Sequence, residues 1–137
     1  MMDKYTKARK ISATLNERND CTVVGVSIAA RVDYKKAHAA MKAAGRRDRC
    51  GAYRIDTTEA VHALGCAIEV IDAPRQSNGS RFTAKTIGAG FKRGYFLVFY
   101  RGHVAAMVNG QVADWTDNRR HQVQEIWKIS VPKGSRS

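Results

Sequence analysis

The most constraining feature of this sequence is Asn109-Gly110, set between the alternating runs HVAAMV and QVADW. Asn-Gly suits the two central positions of a tight hairpin turn, which need positive φ, so it fixes both the connection and its register. Val108 then faces Gln111, and Ala105 faces Asp114. Side chains alternate along a strand, so His103 shares a face with Ala105, and Asp114 lies diagonally beside His103 on that face. A carboxylate within reach of an imidazole follows from the pairing alone.

The C-terminal third extends this pattern. YFLVFY, HVAAMV, QVADW and QVQEIWKI read as four strands, with breaks at Arg101-Gly102 and Asn109-Gly110. Upstream, CTVVGVSIAA is apolar on every side; its β-branched content favours a buried strand, while its length and the N-cap types Asn19-Asp20 before it favour a buried helix, which is the expectation carried forward. A second helix is capped by Asp33, carries Tyr34, Ala37, Met41 and Ala44 on one face, and closes at Gly45. Asp56 with Glu59 three residues on suggests a capping-box start for a third, running through Leu64 and stopped by Gly65. CAIEVI reads as a strand, APRQSNGS as a loop, and Thr83–Ile87 as a turn or two of helix. Helices first and an antiparallel sheet afterwards make an α+β arrangement.

At 137 residues the chain fits one domain. The expected division is a flexible basic arm over 1–14, a single domain over 15–130 and a tail over 131–137. No apolar run approaches the roughly 18 residues of a membrane span, and MMDKYTKARK lacks the apolar core of a secretory signal, so a cytoplasmic protein is expected. Cys21, Cys50 and Cys66 form no close pair, which argues for reduced thiols and against a disulfide framework or a zinc knuckle. No cofactor or metal is called for.

The net charge of +12 is unevenly placed. Residues 31–54 carry eight basic and two acidic side chains, and residues 81–101 carry five basic and none acidic. Arg46, Arg47 and Arg49 with Lys92 and Arg93 are the clusters to nominate as a partner-binding patch. Such a field draws in nucleic acid or an acidic protein in a salt-dependent way, and Tyr53 and Tyr95 could stack on bases.

The His103–Asp114 pair suits a general base oriented by an acid and lacks only a nucleophile. Cys21 is the best candidate, because it begins the buried helix, where unpaired N–H groups and the dipole favour a thiolate. Cys50 lies in a basic loop, and Cys66 reads as a small apolar filler. Trp115 and Trp127 read as core aromatics, Trp115 also as a shield for the pair. His38 and His62 read as helix-surface residues, and His121, after Arg119-Arg120, as part of a basic patch.

Asn19-Asp20-Cys21 opening an apolar helix, Gly102-His103 opening a strand and Asp114-Trp115 ending the next one together resemble the papain-like cysteine peptidase superfamily, and within it small phage and bacterial proteins. The resemblance covers residues 15–128. It implies a papain-like fold with the nucleophile at the start of the central helix, and Cys21, His103 and Asp114 as nucleophile, base and orienting acid. Papain's oxyanion glutamine has no counterpart here, so Asn16 or Asn19 with the Cys21 N–H is the expected substitute. Asn109 would make a Cys-His-Asn alternative, but the register places it in the turn. The implied partner is a peptide or protein substrate, and the basic field points to one of acidic character. The competing expectation is a basic binding protein on the same scaffold that grips nucleic acid or an acidic protein without catalysis.

Overall fold

The computed structural model describes residues 3–131, which form an α+β domain with the first four helices on one face of a five-stranded antiparallel sheet. The elements are α1 (Lys4–Thr14), α2 (Cys21–Ala29), α3 (Tyr34–Ala43), α4 (Arg54–Ala63), β1 (Ala67–Asp72), α5 (Ile87–Gly90), β2 (Tyr95–Tyr100), β3 (His103–Val108), β4 (Gln111–Val112) and β5 (Val123–Ser130). The strand order is β1-β5-β2-β3-β4.

The central helix α2 is built from Val23, Val24, Val26 and Ile28, β-branched residues with modest helix propensity. Burial decides the conformation, since every residue from Thr22 to Ala29 is buried. Removing those four side chains from water contributes about 1.5–3 kcal/mol each. The helix lies across β3 and β2. Gly25 permits the close approach, because a Cβ there would sit 3.0 Å from the Leu97 side chain.

The sheet is covered on both faces, which is why YFLVFY is apolar without alternation. Leu97, Phe99, Ala106, Trp127 and Ile129 pack with the helices. Phe96, Val98, Tyr100, Ala105, Met107 and Ile126 pack instead with Phe82, Ala84 and Ile87 from the segment between β1 and β2. The hairpin has the expected register, Val108 opposite Gln111, with Asn109 at φ 49° and Gly110 at φ 82°.

Five expectations are corrected. The supposed arm is largely α1, capped by Asp3, whose side chain accepts the Thr6 N–H at 2.7 Å, and it docks through buried Ala8 and Ser12. Met1 and Met2 lie outside the described residues. Helix α4 starts a turn earlier than Asp56 implied: Tyr53 is the N-cap, and Asp56 sits in the first turn. The short helix near residue 83 falls at Ile87–Gly90, after a turn closed by Thr83 and Thr86. The run QVADW pairs only at Gln111 and Val112, because the chain turns away after the Ala113 N–H bonds to the Ala106 carbonyl. At the other end, Val131 packs against the core and is no tail residue; 132–137 lie outside the described residues.

Candidate active site

The N-terminus of α2, the start of β3 and the turn after β4 meet at one cleft of ≈ 440 Å³, bounded by Cys21, His103 and Asp114 with Tyr5, Arg9, Asn19 and Trp115. The two β-turns place the imidazole. Gly102, at φ 73°, reverses the chain between β2 and β3, so His103 emerges opposite Tyr100 at the sheet's end. The Asn-Gly turn returns the chain toward it, and the turn at Asp114 to Asp117 closes on the ring.

His103 Nε2 lies 3.0 and 3.1 Å from the two Asp114 carboxylate oxygens. Asp114 is itself fixed, since its Oδ1 also accepts the Thr116 N–H at 2.9 Å. An ionised carboxylate only accepts, so Nε2 carries the proton and Nδ1 is the nitrogen left for sulfur. The Cys21 thiol and the imidazole line the same cleft, close enough for each to shift the other's titration. Burial pushes the thiol up, but the hydrogen bond from His103, the Val104 N–H and the nearby imidazole charge outweigh it and hold the thiol below its ordinary range. Burial likewise disfavours the imidazolium, yet hydrogen bonds to Asp114 and Cys21 raise His103 to about 9. Both shifts run toward a thiolate–imidazolium pair, the thiol lowered and the imidazole raised.

Asp20 shows how the helix start is held. It occupies the N-cap position of α2, but its side chain makes no capping bond. The buried carboxylate instead accepts Ser12 Oγ at 2.6 Å, the Tyr34 hydroxyl at 2.6 Å and Arg9 Nη1 at 3.2 Å. It thereby ties α1, α2 and α3 together beneath the cleft and leaves the first N–H groups of α2 without a capping side chain.

The oxyanion candidates separate. Asn19 borders the cleft, held at φ 52° with its amide donating to the Arg49 carbonyl at 3.2 Å. Asn16 is exposed in the turn after α1 and does not border the cleft. Asn109 lies at the far end of β3, where its Oδ1 accepts the Gly94 N–H at 2.9 Å.

The nominated basic patch does not form as one surface. Arg46 is 4% exposed and grips Glu17 through two bonds of 3.0 Å. Arg49 is exposed near the cleft and Arg47 is exposed in the same loop, whereas Lys92 and Arg93 sit beside the Asn109-Gly110 turn, about 17 Å away along β3. Cys50 is exposed in the loop, and Cys66 is buried as expected.

Glu17, His38 and Asp48 bring three ligand-type atoms within 4.8 Å of one another. Glu17 already accepts four donors, from Arg46 twice, His38 Nε2 and the Arg49 N–H. A guanidinium filling those lone pairs suits an ion-pair cluster and repels a cation.

Trp115 is not a core aromatic: it is 51% exposed and packs on His103 with ring centroids 4.9 Å apart. Behind the imidazole lie Tyr100, nearly parallel at 6.1 Å, and His121, which touches both Tyr100 and Trp115. His121 thus belongs to the wall of the site rather than to a basic patch. Sequence reasoning missed Tyr5 and Arg9 as well, because both belong to the segment read as an arm. Among the described residues no helix is long and apolar enough to cross a membrane. Comparison of the chain with protein-family models, curated proteins and solved structures gives no match.

Proposed function

We propose that this chain is a papain-like cysteine hydrolase, phage-encoded, that cleaves an amide, isopeptide or thioester bond of a peptide or protein. The observation that carries this is one cleft that brings the Cys21 thiol, at a helix N-terminus, together with an imidazole bonded to the Asp114 carboxylate. His103 Nδ1 takes the thiol proton, and the thiolate adds to the substrate carbonyl. The oxyanion is received by the Cys21 N–H and the Asn19 amide. His103 then returns the proton to the leaving group, and water, deprotonated by the same imidazole, releases the acyl group and regenerates the thiol.

Substrate preference follows from the rim. Arg9 borders the cleft, while Arg49 and Arg101 are exposed neighbours of cleft residues, so acidic side chains flanking the scissile bond are favoured. Free Cys21 and Cys50 suit a reducing compartment such as the cytoplasm. The rival reading, a basic binding protein, loses ground because Arg46 is committed to Glu17 and the cations nominated with it are divided between two ends of the sheet.

Cys21→Ala is expected to abolish turnover of a fluorogenic peptide library by about 10³-fold or more while leaving the thermal midpoint nearly unchanged. Turnover retained in that variant sinks the assignment of the nucleophile.

A further inference from the structure

A second cleft, of ≈ 560 Å³, shares no lining residue with the catalytic one. It opens between α1, the C-terminal end of α2 and the start of β2. Its floor is apolar: Ala8 and Ile28 are buried, and Ile11 and Val32 are half-buried against the core. Its lip is cationic, formed by Lys4, Lys7 and Arg31. The one acidic group on the lining, Asp33, is engaged as the N-cap of α3, accepting the Lys36 N–H at 2.8 Å.

The contacts that hold Arg31 do not satisfy its whole guanidinium. Its backbone adopts φ 61°, uncommon for a side chain of this size. Its Nη2 donates to the Ile129 carbonyl at 3.0 Å, and its guanidinium lies 3.7 Å from the centre of the Tyr95 ring. Its Nε is buried and has no hydrogen-bond partner among the described residues. Lys4 Nζ also lies over Tyr95, at 5.2 Å. An apolar trough of ligand size, ending at clustered cations on an aromatic platform, complements a molecule with an apolar body and one anionic head.

The geometry points to this cleft as a binding site for an amphipathic organic anion, an alkyl carboxylate whose chain lies on Ile11, Ile28 and Val32 and whose head meets Arg31, Lys4 and Lys7. It stands independently of the hydrolase reading. The test is a methyl-detected NMR titration of the full chain with dodecanoate below its micelle concentration, with dodecyltrimethylammonium and acetate in parallel. Dodecanoate is expected to bind saturably and to shift the Ile11, Ile28 and Val32 methyls while leaving Val24, in the catalytic cleft, unmoved. Lys4→Glu/Lys7→Glu, on the exposed side of α1, should weaken it by about tenfold or more with an unchanged thermal midpoint, and Arg31→Gln should weaken it by a similar factor. Equal binding of the cationic amphiphile, indifference to charge reversal, or shifts scattered over the surface would overturn the proposal. Acetate binding as tightly as dodecanoate would overturn its apolar half.

Discussion

Replacing Arg46 with alanine is expected to lower the unfolding free energy by about 3–5 kcal/mol, because it leaves a buried carboxylate without its counter-ion. Both partners are 1% exposed at the side chain, and Arg46 supplies two of the four donors that Glu17 accepts. Burial alone would raise the Glu17 carboxyl, but the bonds from Arg46, His38 and the Arg49 N–H bring it down to about 2, from 4.5. A depressed acid stabilises the fold fully above its unfolded value, and that contribution is lost as pH falls through about 2. The variant should therefore also unfold at higher pH than wild type. Urea melts at pH 7 and pH 3 check both statements. Arg46→Lys should not restore stability, since a point ammonium cannot make the paired contact. A loss below about 1 kcal/mol in Arg46→Ala, the range of an exposed pair, would contradict the buried pair. The effect should reach the cleft too, because Glu17 holds the Arg49 N–H and the Arg49 carbonyl holds Asn19.

Asp114→Ala should cost hydrolysis about 10²–10⁴-fold, by analogy with the loss seen when a triad acid is neutralised. In wild type, burial works against the imidazolium, and the bonds to Asp114 and Cys21 prevail, bringing His103 to about 9. Removing Asp114 leaves burial opposed by Cys21 alone, so the imidazole should titrate well below about 9. Activity that needs the imidazolium as acid is lost as pH rises through its pKa, so the alkaline limb near 9 should move down in the variant. The same shift has a stability consequence: the raised histidine stabilises the fold below 6.5, and this is lost as pH rises through about 9. Imidazole NMR titration of both proteins reads the pKa directly. An unmoved His103 titration would show that Asp114 does not govern the ring.

The sequence was most informative where local chemistry leaves one solution. Asn109-Gly110 fixes a turn that needs two positive φ values, and with it the face shared by His103 and Asp114. Asp33 and Gly45 bracket α3 because a capping carboxylate and a left-handed glycine are local requirements. Long-range choices were not legible. Arg46 read as one more loop cation, and only the turn after α1 brings Glu17 to it across 29 residues. Asp20 read as a cap, but Ser12 and Tyr34 compete for its carboxylate in the folded protein. QVADW has the alternation of a full strand, yet Asp114 makes a turn with Thr116 and Asp117 that ends pairing early. Helix α1 was missed because its buried face is made of Ala8 and Ser12, too small to produce a strong apolar period.

The central claim is that Cys21 and His103 form a thiolate–imidazolium pair, and the most direct measurement is the rate of Cys21 alkylation against pH, read by peptide mapping, in wild type and His103→Ala. The account predicts that wild-type Cys21 reacts well below the ordinary thiol range of about 8.5, and that the substitution returns it to that range or above. An ordinary or inert Cys21 in both proteins, with the fold intact, would contradict it.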